Sequence, residues 1–158
     1  MSNKKELPFR IGVGIVLLNS ENKIFVAKRI DNPGNFWQMP QGGANVNESL
    51  LDAAKRELKE ETGIRSIKII KELVDWLEYD LPKNLIGKIW KGKYRGQKQK
   101  WFIMQFLGND SEVNLKTENP EFLDWKWIDS INLTNQVVHF KSHVYKKIQK
   151  ELKSLGLI

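Results

Sequence analysis

Apolar positions along this chain fall into short, uninterrupted runs, and those runs define the elements. Ile11–Leu18 (IGVGIVLL) and Ile24–Ala27 (IFVA) are rich in β-branched residues and are separated by the turn formers Asn19-Ser20-Glu21-Asn22. This pattern predicts two strands joined by a turn, the second running on through Lys28 and Arg29. Asn32-Pro33-Gly34-Asn35 predicts a second turn. Pro40-Gln41-Gly42-Gly43 reads as a loop whose glycines let a ligand approach the backbone closely.

From Glu48 to Thr62 the spacing turns helical, with Asn47 as the expected N-cap and Gly63 as a left-handed stop. Ile67–Leu77 is strand-like, and the basic, glycine-punctuated stretch from Tyr79 to Gln99 reads mostly as loop. Trp101–Leu107 and Phe122–Ile128 predict two further strands. Val138, Val144, Ile148 and Leu152 recur at near-helical spacing and predict a C-terminal helix over about 135–155. With no internal repeat, low-complexity tract or linker, residues 1–158 read as a single α/β domain.

Composition changes this picture little, but charge adds to it. Hydrophobic residues make up 41% of the chain and charged residues 28%, ordinary values for a soluble globular protein. No apolar run approaches the ~18 residues that span a bilayer, so no membrane role is expected. Met1–Arg10 has no apolar segment of the secretory kind. The absence of cysteine excludes disulfides and thiolate metal sites and fits a reducing cytoplasm. The net charge is +7, and seven cations (Lys83, Lys88, Lys91, Lys93, Arg95, Lys98 and Lys100) fall in one stretch without an acid. Such a segment either attracts a polyanion or forms a solvated lysine-rich loop.

The candidate chemistry lies on the first helix. At about 100° per residue, Leu51, Ala54 and Leu58 fall within about 60° of one another and form a buried stripe. Glu57, Glu60 and Glu61 occupy a separate sector at i, i+3 and i+4. Three carboxylates so placed repel one another, and they stand near the helix C-terminus, where the dipole is also unfavourable. Arg56 and Lys59 offset part of this. A hard divalent cation would resolve the conflict through oxygen ligands. A solvated acidic face paired to Lys55 and Lys59 is the alternative.

The surrounding residues distinguish the two. From Gly42 to Ile64 the sequence reads G-x5-E-x7-R-E-L-x-E-E-x-G-I, with Gly42, Glu48, Arg56, Glu57, Leu58, Glu60, Glu61, Gly63 and Ile64 at the fixed positions. This resembles the Nudix box in full. Outside it, Phe9–Gly14, Trp37–Gly43, Gly96–Phe102, Pro120–Phe122 and Gln136–Lys141 are similar to the bacterial RNA pyrophosphohydrolase branch, long grouped with the dinucleoside polyphosphate hydrolases. The resemblance runs from about Pro8 to Leu152, and Gln41 between Pro40 and the glycine pair is characteristic of that branch. Ile11 departs from it, since proline often stands there.

The resemblance implies a mixed β-sheet sandwiched between helices (α/β/α), and hydrolysis of a phosphoanhydride with Mg²⁺ or Mn²⁺, more than one ion being expected. It implies metal binding by Glu57, Glu60, Glu61 and Glu121, with the Gly42 backbone close by. One of these carboxylates would be the general base, while Arg56 and Glu48 orient the helix. Arg10, Arg29, Lys98 and Lys100 would hold phosphates, beside Gln41. Val138, Phe140 and Lys141 would meet the terminal bases, although Val138 and Phe140 are equally suited to a helix core. His139 and His143 read as surface residues. Trp37 and Trp101 read either as core or as base contacts.

Removal of pyrophosphate from 5′-triphosphorylated RNA, which would promote RNA decay, is the leading expectation. Hydrolysis of diadenosine tetra- or pentaphosphate is the alternative. A non-catalytic nucleotide- or RNA-binding module and hydrolysis of oxidised nucleoside triphosphates are minor ones. No DNA-specific binding is expected.

Overall fold

The structure is a computed structural model that describes residues 7–31 and 34–158. Seven strands form one mixed sheet: β1 (Phe9–Leu18), β2 (Ile24–Arg29), β3 (Gln41–Gly43), β4 (Ile67–Glu72), β5 (Leu77–Asp80), β6 (Gly96–Phe106) and β7 (Phe122–Ile128). The order is β4-β6-β1-β2-β7, with β3 paired to β1 and β5 paired to β6. Among the described residues only the β1–β6 pairing is parallel. Helices α1 (Leu50–Thr62) and α2 (Ser142–Ser154) complete the fold.

The run IGVGIVLL is apolar throughout because β1 is covered on both sides. Val13, Ile15 and Leu17 pack with Ala53, Ala54 and Leu58 of α1, whereas Val16 and Leu18 pack with Val144, Ile148 and Leu152 of α2. The sheet is therefore sandwiched between the two helices, as the resemblance implied.

Several boundaries differ from expectation. Asn47 does not cap α1. It has φ 68°, and Ser49 is the N-cap, its Oγ accepting from the Asp52 N–H at 3.1 Å. Glu48 stays outside the helix because Arg56 and the Asn45 N–H hold its carboxylate. Gly63 does end the helix, at φ 75°. The expected loop Pro40–Gly43 includes a strand, β3, in register with β1 from Gly12↔Gly43 to Gly14↔Gln41.

The strand-like stretch Ile67–Leu77 breaks into β4 and β5. Leu73 turns inward there, its N–H reaching the Trp101 carbonyl at 2.9 Å. The stretch from Tyr79 to Gln99 is mostly loop as expected, with β5 running into it as far as Asp80 and β6 beginning at Gly96. The C-terminal helix starts at Ser142 rather than near 135. The Gln136 carbonyl is taken by the Trp37 N–H at 2.8 Å, and His139–Lys141 forms a separate 3₁₀ turn. Of the turn expected at Asn32–Asn35, Asn32 and Pro33 lie outside the described residues.

Candidate active site

Helix α1 lies over β3, and this places the carboxylates. The Glu57 side chain occupies the space above Gly42 that any Cβ there would fill. Arg56 organises the cluster. Its Nε and Nη2 donate to Glu48 at 2.7 and 3.0 Å, Nη2 also to the Gly43 carbonyl at 2.8 Å, and Nη1 to Glu57 and Glu60 at 2.9 and 3.1 Å. One guanidinium thus ties the box loop, β3 and the acidic face of α1 together, a task suited to its fixed fork of donors.

Glu61 reaches the cleft from the next turn of the helix. Its residue is 3% exposed, and Oε2 is buried without a hydrogen-bond partner among the described residues. Burial, then the Glu121 and Glu57 charges, pushes its carboxyl well above the ordinary range. Burial also raises Glu57, against the pull of Arg56. Arg56 and the Asn45 N–H hold Glu48 below that range.

Glu121 enters from the start of β7. The β2–β7 pairing sets it there, with the Ile30 N–H on its carbonyl at 2.9 Å and Arg29 Nη1 3.7 Å from its Oε2. Arg29 also donates to both oxygens of Asp31, at 2.8 and 3.0 Å. Glu57, Glu60, Glu61 and Glu121 line one cleft of about 460 Å³. Among the described residues these side chains are not already gathered into a coordination shell, since Glu57 and Glu60 are drawn to Arg56. The donor set is all oxygen, and the orphaned Glu61 oxygen suits a hard cation.

The two faces of the sheet separate the expected phosphate-binding residues. Because β1 and β6 are parallel and in register, Arg10, Gly12 and Gly14 share a face with Gln97, Gln99 and Trp101. Arg10 lies against Gly43 on that face, its guanidinium 5.1 Å from the Trp90 ring centre. Lys98 and Lys100 point the other way, each with Nζ 5.5 Å from the Trp76 ring centre. The structure does not bring them together with Arg10. Within the basic stretch Arg95 is bonded to Asp80 at 2.7 Å and lies over Phe9, while Lys83, Lys88, Lys91 and Lys93 are exposed.

Phe140 packs on Tyr79 with ring centres 5.6 Å apart. Lys141 is only 8% exposed and lies 5.3 Å from the centre of the same tyrosine ring. Its burial, and then the Arg29 charge, pushes its ammonium down to about 8. Val138 is half-buried, and Phe140 joins the α2-side core from its margin, outside α2 itself. His139 and His143 are exposed. Trp101 is fully buried and donates to Gln99 at 3.1 Å, so it is core and touches no base. Trp37 is buried beneath Lys126.

A buried amide network went unread in the sequence. Gln99 donates to Gln41 and Gln97 at 3.1 and 2.7 Å, Tyr79 donates to Gln97 at 3.3 Å, and Gln41 donates to Tyr79 at 3.4 Å. Burial raises the Tyr79 hydroxyl to about 12, keeping it a donor. The alternation Gln97-x-Gln99-x-Trp101 was the available signal, masked because its inward residues are polar.

With this geometry in view, comparison with known proteins is informative. The NUDIX domain family model matches residues 8–148, and the chain belongs to that family. Within it, the similarity lies with the RNA pyrophosphohydrolase branch. The chain is 61% identical over 153 residues to the RNA pyrophosphohydrolase of Pelagibacter ubique, covering 97% of each chain. It is 45% identical over 159 residues to that of Afipia carboxidovorans, covering 96% of each. Among solved structures, the E. coli dihydroneopterin triphosphate pyrophosphohydrolase superposes with TM-score 0.67 at 18% identity, over 91% of this chain and 99% of that one. A C. elegans Ap4A hydrolase does so with TM-score 0.66 at 21%, over 92% and 98%. At these identities the likeness of the solved structures shows the fold.

Proposed function

We propose that this protein is an RNA 5′-pyrophosphohydrolase, a Nudix hydrolase that cuts a phosphoanhydride of 5′-triphosphorylated RNA, releases pyrophosphate and leaves a 5′-monophosphate end open to decay. The observation that carries this reading is the 61% identity to an RNA pyrophosphohydrolase across 97% of both chains. The cleft supports it, because Glu57, Glu60 and Glu61 of the box line it and Glu121 joins them. Such a substrate fits a cytoplasmic protein. No helix among the described residues is long and apolar enough to cross a membrane.

Nudix hydrolases generally use divalent metals. Here Glu57, Glu60, Glu61 and Glu121 would hold Mg²⁺ or Mn²⁺, more than one ion in a cleft of this size, with the Gly42 backbone against Glu57. Such ions neutralise phosphate oxygens and make the attacking water more acidic. Arg56 and Glu48 keep the carboxylates aimed at the cleft. Glu57 and Glu61, both pushed upward by burial, are suited to accept the proton of the water, and Glu121 stands within the same cleft. Water adds to phosphorus, the P–O–P bond breaks and pyrophosphate leaves. Arg10, Arg29, Gln41 and Lys141 would hold the phosphates, and Val138 and Phe140 would receive the first bases. Lys98 and Lys100 lie on the face opposite Arg10, the one that α1 covers, and rest against Trp76.

The test compares pyrophosphate release from a 5′-triphosphorylated oligoribonucleotide with cleavage of diadenosine tetra- and pentaphosphate at one ionic strength. A higher kcat/KM for the RNA is expected, and a much higher one for the dinucleotides would overturn the reading. Glu57→Gln and Glu61→Gln should each abolish most metal-dependent turnover. Full activity in either would defeat the assignment of that residue.

A further inference from the structure

Lys98 and Lys100, together with Trp76, mark a surface that the cleft chemistry leaves unused. Trp76 is 37% exposed beside the outer strand β5, which pairs with β6 alone among the described residues. Both ammonium groups rest 5.5 Å from its ring centre. At an exposed site such a cation–aromatic attraction is weak, so either lysine is free to exchange the ring for a phosphate. Val74, 78% exposed, adjoins them, its carbonyl accepting from Lys100 Nζ at 2.7 Å.

This surface shares a cavity with Phe140, where the first bases would lie. That cavity, of about 540 Å³ at β5, is lined by Phe140, Tyr79, Trp76, His143 and Lys147. Its acids are already offset: Asp80 is paired with Arg95 at 2.7 Å, and Glu78 lies opposite Lys98 in the β5–β6 register. Three strand spacings separate β3 from β5, about 14 Å at ~4.8 Å each. Even at a stacked rise of about 3.4 Å per nucleotide, some four nucleotides cover that distance.

We infer that the body of the RNA runs from Phe140 around the edge of β5 to Trp76, where a downstream base stacks on the indole and Lys98 and Lys100 meet the flanking phosphates. A basic track punctuated by an exposed aromatic is the usual means of holding single strands without reading their sequence. The inference rests on the RNA reading above and adds a subsite that a dinucleotide substrate cannot reach.

The experiment measures kcat/KM for a triphosphorylated dinucleotide and for a triphosphorylated dodecanucleotide, with wild-type protein, Trp76→Ala and Trp76→Phe. Wild type should favour the longer RNA. Trp76→Ala should lower kcat/KM for the longer RNA by about tenfold, through KM, and leave the dinucleotide unchanged. Trp76→Phe should recover most of the loss, and the effect should shrink as salt rises. Equal losses at both lengths, or no loss at either, would overturn the track while leaving the RNA reading intact. No pyrophosphate release from either RNA by wild type would overturn both.

Discussion

Glu57 and Gly42 share one volume: the glutamate carboxylate fills the place where a side chain on residue 42 would begin. The absence of a Cβ on β3 therefore sets how deeply helix α1 can deliver its first acid into the cleft. Gly42→Ala should push the carboxylate aside. Displacement of a reacting group by about 1 Å costs about 10²-fold in rate, and kcat should fall by that order. Thermal stability should change little by comparison. A variant with normal kcat would show that the contact is not limiting.

Arg56 is the common partner of Glu48, Glu57, Glu60 and the Gly43 carbonyl. Arg56→Ala strands these acceptors and leaves the acids on α1 uncompensated. The expected loss is about 2 kcal/mol of stability, read by urea denaturation, with a larger loss of activity. Arg56→Lys keeps the charge but not the fork and should recover only part of either.

The raised Glu61 carboxyl makes stability depend on pH and on metal. The folded state retains a proton that the unfolded chain releases above its ordinary value of 4.5. In metal-free protein the unfolded state therefore binds fewer protons in this window, and stability falls as pH rises from 4.5 toward the folded-state value. Glu57 adds to the fall with the same sign. Lys141, which also feels the Glu61 charge, titrates at about 8. Thermal melts of chelator-treated protein should show this decline below that pH, and Glu61→Gln should flatten it. Added Mg²⁺ should raise Tm more at the higher pH, because binding needs the carboxylates ionised. A pH-independent Tm gain would contradict the assignment of Glu61 as a ligand.

Tyr145 on α2 accepts the Met39 N–H at 2.8 Å in the buried interior, just before Pro40 and β3. Tyr145→Phe leaves that amide unpaired and should cost about 2 kcal/mol in urea denaturation. Because Met39 leads into Gln41 and Gly42, kcat should fall as well. Unchanged stability would mean that another acceptor replaces the hydroxyl.

The sequence by itself determined the elements whose inward residues are apolar, and the site motif whose residues are close along the chain. β1, β2 and β7 were legible because alternating or continuous burial leaves an apolar record, and α1 because Leu51, Ala54 and Leu58 repeat at helical spacing. Glu57, Glu60 and Glu61 were legible for a related reason: helical periodicity alone places i, i+3 and i+4 on one side.

Tertiary structure decided whatever depended on partners distant in sequence. Strand β6 begins at Gly96 with Gln97 and Gln99 facing inward, where Gln99 donates to both Gln97 and Gln41, so its buried face reads as polar. Glu48 left the helix because Arg56 claimed it, and α2 started late because the Gln136 backbone was committed to Trp37. The meeting of Glu61 with Glu121 and Arg29 required the β2–β7 pairing. The assignment of Arg10 and Lys98 to opposite faces followed from the β1–β6 register. A linear pattern fixes which face a residue takes within its own element, whereas pairing between elements fixes which residues share that face.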